Sequence, residues 1–218
     1  EVRGIDGRHV MTDVRDYHAW HIINCAGLYA DKIAHMMGVR EDLQVIPFRG
    51  EYHQVRDLRV NSMIYQAPNL AFPFLDVHLT KSVEDIVLAG PNAMLSFGRE
   101  SYNKEINFIE TLDFLAQRNF WKLLASKEFL SLLYSNAKTS FSRKAYVEEI
   151  RKICPDVGIE DVLPYASGIR AQMVDSNGRM VQDMVVEHND FSTHVLNVVS
   201  PGMTSSLSFA SYIVDEIE

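Results

Sequence analysis

A mixed α/β (α+β) fold, with a sheet flanked by helices, is predicted by three observations. Apolar strands run into glycine-marked turns and then into segments of helical period, once near each end of the chain. Between them lie several short strands punctuated by Gly and Pro, a pattern of mixed or antiparallel sheets. Residues 106–152 then lose their prolines and glycines and carry apolar residues at three- and four-residue steps.

Composition narrows the function classes. The chain has 218 residues, 47% of them hydrophobic, enough for a sizeable core and for one or two domains. Its net charge is −8 with no long basic block, so nucleic acid is not an expected partner. No apolar run approaches the ~20 residues that cross a bilayer, and the first residues carry no signal-peptide pattern. Cys25 and Cys154 lie far apart, as suits a reducing compartment. His18 and His21 are three apart, but no cysteine or carboxylate cluster joins them at zinc-like spacing, and no metal site is expected.

The elements follow in order. Val2 to Ile5, a turn at Gly7 and His9 to Val14 read as a β-hairpin. Trp20 to Cys25 reads as a buried strand that ends in Ala26-Gly27. Leu28 to Met37 reads as a helix with Leu28, Ile33, Ala34 and Met37 on one face and Gly38 as its stop. Val45 to Val55, Met63 to Tyr65, Val77 to Thr80 and Ile86 to Ala89 are short strands. Leu112, Leu115, Phe120, Leu123, Leu124, Phe129, Leu132 and Leu133 predict two or three amphipathic helices with that stripe in the core. Pro155 ends the helical part. Leu163 to Val174 and Arg179 to Val185 read as a strand pair turning at Asp175-Ser176-Asn177-Gly178, where Asn-Gly is the turn signal. A last strand, His194 to Val199, runs into Ser200-Pro201-Gly202-Met203-Thr204 and a helix. Small residues there let a flat ligand approach the backbone, and the first helical amides favour an anion. The alternative is a capped C-terminal helix packed on a sheet.

Six motifs occur together and in order: Asn24-Cys25-Ala26-Gly27-Leu28-Tyr29-Ala30-Asp31, Pro47-Phe48-Arg49-Gly50-Glu51-Tyr52, Phe72 to Thr80, Gly90-Pro91-Asn92-Ala93, Gly168-Ile169-Arg170-Ala171-Gln172 and the Ser200-Pro201-Gly202 turn. Together they resemble the D-amino-acid-oxidase-type superfamily of FAD-dependent oxidoreductases, and within it the L-2-hydroxyglutarate oxidase/dehydrogenase family. The similarity runs from about residue 20 to residue 210. Asp76 departs from it, standing where the family usually has Gly. The family's Gly-x-Gly-x-x-Gly unit, which seats the FAD pyrophosphate, occurs nowhere in this sequence. The chain is therefore expected to be the C-terminal part of a longer enzyme, inactive and a poor binder of FAD by itself. A natural relative that has lost flavin binding is the alternative.

The resemblance implies three segments. Residues 1–40 would be the tail of an FAD-binding domain, 41–165 a mixed-sheet substrate domain flanked by helices, and 166–218 a return to the FAD-binding domain. It implies oxidation of a small 2-hydroxy dicarboxylate, L-2-hydroxyglutarate to 2-oxoglutarate, with FAD as hydride acceptor. Electrons would pass to oxygen or to a membrane quinone, in a cytoplasmic enzyme or one peripheral to the inner membrane (mitochondrial in a eukaryote). Arg170 is the first candidate for the substrate carboxylate, because a planar guanidinium pairs bidentately. Arg49 is the second, near the flavin or the distal carboxylate; the competing reading is an ordinary salt bridge. His78 is the candidate base, since imidazole titrates near neutrality; the competing reading is a structural histidine. Tyr65 and Tyr52 are candidate hydroxyl donors. Asn24, Ala26, Gly27, Arg49, Gly50, Ser200, Pro201, Gly202, Met203 and Thr204 are the candidate cofactor contacts. Two readings compete: a related amine oxidase or glycerol-3-phosphate dehydrogenase, and a non-enzymatic binding module.

Overall fold

The computed structural model describes residues 1–67, 74, 76–198 and 202–217. They form two compact units, one of residues 1–45 with 171–218 and one of residues 46–170.

The first unit opens with the expected hairpin. Strands β1 (Val2–Asp6) and β2 (His9–Thr12) pair antiparallel around Gly7, and β3 (Tyr17–His18) pairs with β2. Gly7 has φ 55°, a left-handed value that glycine adopts without a Cβ penalty. Strand β4 (Ile22–Asn24) is shorter than expected, and Trp20 is 72% exposed rather than buried. A 3-10 turn over Gly27–Tyr29 leads into helix α1 (Ala30–His35), which stops before Gly38 at φ 68°. The buried Asp31 side chain accepts the Val45 amide at 2.8 Å and ties α1 to the strand that follows. Ala30, Ala34, Leu43, Val45, Met173 and Leu196 form this unit's core.

The chain passes into the second unit along β5 (Gln44–Val55) and returns along β9 (Val162–Val174). Strands β6 (His78–Lys81), β7 (Val87–Gly90) and β8 (Met94–Leu95) complete a five-stranded sheet of order β6-β7-β5-β8, with β9 also paired to β5. Met63 to Tyr65 contributes only an isolated bridge, Ile64 to Leu79, and no strand. Phe72, Pro73 and Leu75 lie outside the described residues.

The helical block holds four helices, not two or three: α2 (Phe108–Leu115), α3 (Arg118–Leu124), α4 (Lys127–Phe141) and α5 (Arg143–Arg151). The periodicity runs across the breaks, which hydrogen-bonding side chains mark instead. Asn107 accepts the Glu110 amide, Ser126 the Phe129 amide and Ser142 the Ala145 amide, each satisfying an orphan donor of a first turn. Phe120, Leu123 and Phe129 are buried as expected, but Leu112 is 66% exposed. Tyr146, Val147 and Ile150 of α5 pack on Val55, Val77, Leu79, Val87 and Ala89 of the sheet. Burial of such side chains contributes ~1.5–3 kcal/mol each.

The last segments belong to the first unit. Strand β10 (Val185–Asn189) forms a hairpin with β11 (Ser192–Asn197), and β11 runs parallel to β4. The Arg179 to Val185 strand reduces to a bridge between Val174 and Met180, although the turn closes as expected with a Gly178 amide bond to the Asp175 carbonyl. Helix α6 (Ser206–Asp215) ends the described chain.

Candidate functional site

Two neighbourhoods carry the candidate residues, one in each unit. In the second unit, period-2 alternation sets the faces. Val77 and Leu79 are buried against α5, so His78 points to the opposite face of β6. His78 pairs with Gly90, and His53 pairs with Ala89. The same register brings Tyr52 beside Gly90, whose added Cβ would meet the Tyr52 Cα at 3.1 Å. Tyr52 and His78 thus flank Gly90, two strand spacings (~9–10 Å) apart, with no β7 side chain between them. Tyr65 is exposed and meets the His78 ring edge to face at 6.3 Å.

The His78 ring has one determined nitrogen. Nδ1 lies 3.0 Å from the Asp76 carbonyl oxygen, which can only accept. Nδ1 therefore carries the proton, and Nε2 presents a lone pair.

Arg170, half-buried at the end of this unit, stacks over the Phe74 ring at 5.3 Å. Among the described residues no carboxylate pairs with it. Burial pulls its guanidinium below the usual value, and neighbouring Tyr52 opposes that shift. No hydrogen bond or ring contact links Arg170 to His78 among the described residues.

Arg49 makes the ordinary salt bridge of the competing reading. Its side chain is 7% exposed, and Nη2 pairs with Glu51 at 3.2 Å while Nε has no partner. Glu51 also holds Lys104 at 3.0 Å, and its Oε2 accepts from Asn92 at 3.0 Å. An added Cβ at Gly50 would meet Pro91 Cβ at 2.6 Å, so packing inside the unit requires the glycine.

In the first unit, β4 and β11 run side by side in parallel, with His194 opposite Asn24. Their carboxyl ends adjoin, in sequence, two groups of candidate cofactor contacts, Asn24 with Ala26 and Gly27, and Ser200 to Thr204. Ligands of α/β sheets bind at such ends. Gly27 has φ 56°, and an added Cβ there would meet nothing within 4 Å. Ala26 and Gly27 are exposed, and Asn24 Oδ1 accepts the Ala26 amide at 3.1 Å. The exposed Ala26-Gly27 turn thus stands at the carboxyl end of β4. Gly202, Met203 and Thr204 are described; Ser200 and Pro201 lie outside the described residues.

Sequence reasoning missed two features. Phe74 under Arg170 stood inside a quoted motif but had no assigned role. A fully buried His194, between Ser192 and Asn24, was also missed. Its signal was the polar run Ser192-Thr193-His194 leading directly into the apolar Val195-Leu196 of one strand.

The family described as FAD dependent oxidoreductase matches residues 1–216. The chain is 39% identical over 199 residues to an L-2-hydroxyglutarate dehydrogenase of Indibacter alkaliphilus, covering 89% of this chain and 49% of that protein. It is 33% identical over 207 residues to the L-2-hydroxyglutarate dehydrogenase of Escherichia coli K12, covering 93% and 49%. It is 32% identical over 230 residues to the mitochondrial L-2-hydroxyglutarate dehydrogenase of Homo sapiens, covering 99% and 49%. The chain thus spans about half the length of the curated relatives it matches. Its fold is shared with an FAD-bound L-alpha-glycerophosphate oxidase from Mycoplasma pneumoniae, at TM-score 0.65 and 19% identity over all of this chain and 50% of that one. Glycine oxidase from Bacillus cereus shares it at TM-score 0.59 and 12% identity, over all of this chain and 49% of that one. With a family match over residues 1–216, this chain belongs to the FAD-dependent oxidoreductases.

Proposed function

We propose that the full-length protein oxidises L-2-hydroxyglutarate to 2-oxoglutarate, with residues 46–170 serving the substrate and residues 1–45 with 171–218 serving the cofactor. The observation that carries the substrate reading is Arg170, a half-buried guanidinium with no carboxylate partner among the described residues, held over Phe74. Such a cation is prepared for the carboxylate of an incoming acid; its bidentate pairing would fix the carbon to be oxidised. FAD supplies the hydride acceptor when bound. His78 accepts the hydroxyl proton at Nε2, because the Asp76 carbonyl occupies the Nδ1 proton. Tyr52 and Tyr65 border the same space and serve as hydroxyl donors. Asn24, Ala26 and Gly27, with the 200–204 segment, would hold the cofactor through backbone groups. Arg49, already paired to Glu51, is assigned to support the 49–51 segment and not to the substrate.

The names of the relatives support the dicarboxylate over the amine oxidase and glycerol-3-phosphate readings. The test is turnover of the purified full-length protein with L-2-hydroxyglutarate, D-2-hydroxyglutarate, glycine, sarcosine and glycerol 3-phosphate at equal concentration. L-2-Hydroxyglutarate is expected to give the highest kcat/KM. Preference for any of the others would overturn the reading. The same assay with an artificial acceptor, with and without oxygen, separates an oxidase from a dehydrogenase; among the described residues no helix is long and apolar enough to cross a membrane.

A further inference from the structure

Ser192, His194 and Asn24 stand in the order of a hydrolytic triad. Ser192 Oγ lies 2.8 Å from His194 Nε2, and His194 Nδ1 lies 3.1 Å from Asn24 Nδ2. The hydrogen bonds exclude that chemistry. Asn24 is fixed by two backbone groups: Oδ1 accepts the Ala26 amide at 3.1 Å, and Nδ2 donates to the Ala30 carbonyl at 2.8 Å. The amide cannot be turned over without setting oxygen against oxygen and N–H against N–H. Nδ2 therefore directs its second proton at His194 Nδ1, which must accept. His194 then carries its proton on Nε2 and donates it to Ser192. A triad histidine accepts from serine at Nε2 and donates at Nδ1; here both roles are reversed. Ser192 and His194 are also 0% exposed, so no substrate reaches the hydroxyl.

What the reversed histidine does is hold the turn. Asn24 spans the end of β4, the exposed Ala26-Gly27 turn and the first residue of α1. Its amide has three partners, and only His194 comes from another strand. We propose that His194 is a positioning residue for the cofactor, acting through Asn24 to set the conformation of the 24–30 turn. This rests on the reading of that turn as part of the FAD bed. The imidazole must be neutral and Nε2-protonated to do so, since a proton on Nδ1 would face the Asn24 amide protons.

Two variants separate the link to Asn24 from the link to Ser192. His194→Asn sets an amide oxygen near the place of Nδ1 and keeps an acceptor for Asn24. His194→Gln reaches toward the place of Nε2 and keeps the Ser192 contact alone. In the full-length protein, FAD affinity measured by fluorescence titration of the stripped protein is expected to fall about tenfold in His194→Gln. His194→Asn is expected to stay within about threefold of the parent. Amide hydrogen exchange at Ala26 should rise in His194→Gln and not in His194→Asn. Equal losses in both variants, tracking an equal drop in melting temperature, would make His194 merely structural and overturn the proposal. Nitrogen-15 histidine spectra of the unmodified protein test the tautomer without any variant: an Nδ1–H ring or an imidazolium at neutral pH overturns it. Asn24→Ala tests the underlying bed. Unchanged FAD affinity in Asn24→Ala would remove the bed itself and with it the route from His194 to the cofactor. Weakened binding in Asn24→Ala beside normal binding in His194→Gln would overturn the role of His194 alone.

Discussion

Two histidines, His78 and His194, carry the same side chain and opposite proton placements. Each is set by one unambiguous neighbour. A carbonyl that can only accept leaves His78 with a free Nε2 lone pair, while an amide that can only donate takes the Nδ1 lone pair of His194. The first ring is suited to accept a proton at Nε2; the second is closed at both ends. His78→Ala is therefore expected to slow flavin reduction at saturating substrate by ~10²–10⁴-fold in stopped-flow experiments, the range for a lost general base. Its melting temperature should change little, because the ring lies on the face away from the core of α5. A large melting drop with near-normal reduction would end the catalytic role. Arg170→Lys keeps the charge and loses the fork, so the apparent affinity for L-2-hydroxyglutarate should weaken ~10-fold or more. An unchanged KM and kcat would rule out the carboxylate contact. Both residues were legible in the sequence as candidates. Neither proton placement was: that of His78 depends on the local backbone turning the Asp76 carbonyl toward the ring, and that of His194 on a side-chain amide 170 positions away.

At the scale of elements, β6, β7 and β5 show which glycines matter. Gly90 has φ 142°, and a Cβ there would lie 2.7 Å from the Glu51 carbonyl oxygen and 3.0 Å from the Tyr146 hydroxyl. That hydroxyl donates to the carbonyls of Glu51 and Ala89, tying α5 to two strands. Gly90→Ala is expected to cost ~1–3 kcal/mol through strain and displacement of that bond. Denaturant unfolding measures it, and a loss under a few tenths of a kcal/mol would contradict the close packing. Two strands also carry imidazoles out of full solvent, a half-buried His53 on β5 and a buried His194 on β11. Burial lowers the pKa of each, with Glu51 and Glu187 respectively opposing. The unfolded rings protonate near the ordinary ~6.5 and the folded ones only below it. Stability from these groups is complete above ~6.5 and is lost as pH falls toward the folded values. Melting curves from pH 8 to 5 should show the decline, shallower in His194→Asn. A rise in stability over that range would reverse the assignment. The strand–turn–helix at 22–35 was readable because Gly and small residues mark it locally. The four helix starts were not, since one apolar period runs through all of them and single Asn or Ser caps mark only those of α2, α4 and α5.

On the scale of the whole molecule, each unit has its own core. The cluster around Tyr146, Val147 and Ile150 draws only on residues of the 46–170 unit, and the cluster around Leu43, Met173 and Leu196 only on the other. Ile150→Ala is expected to cost ~2–5 kcal/mol. Hydrogen exchange should rise first in β5 to β7 and α5, ahead of α1 and β11, because local stability follows local packing. Uniform acceleration across both units would indicate a single cooperative core. The sequence by itself determined the family resemblance, the strand–turn–helix at each end, the glycine turns and the alternation that turns His78 away from Val77 and Leu79. These are local patterns, written in adjacent residues. Only the tertiary structure decided that Arg49 is spent on Glu51 while Arg170 has no carboxylate among the described residues, and that Asn24 and His194, 170 positions apart, share one hydrogen bond. Charge pairing and tautomer depend on which groups meet across the fold, and those meetings are set by strand register, which no local pattern encodes.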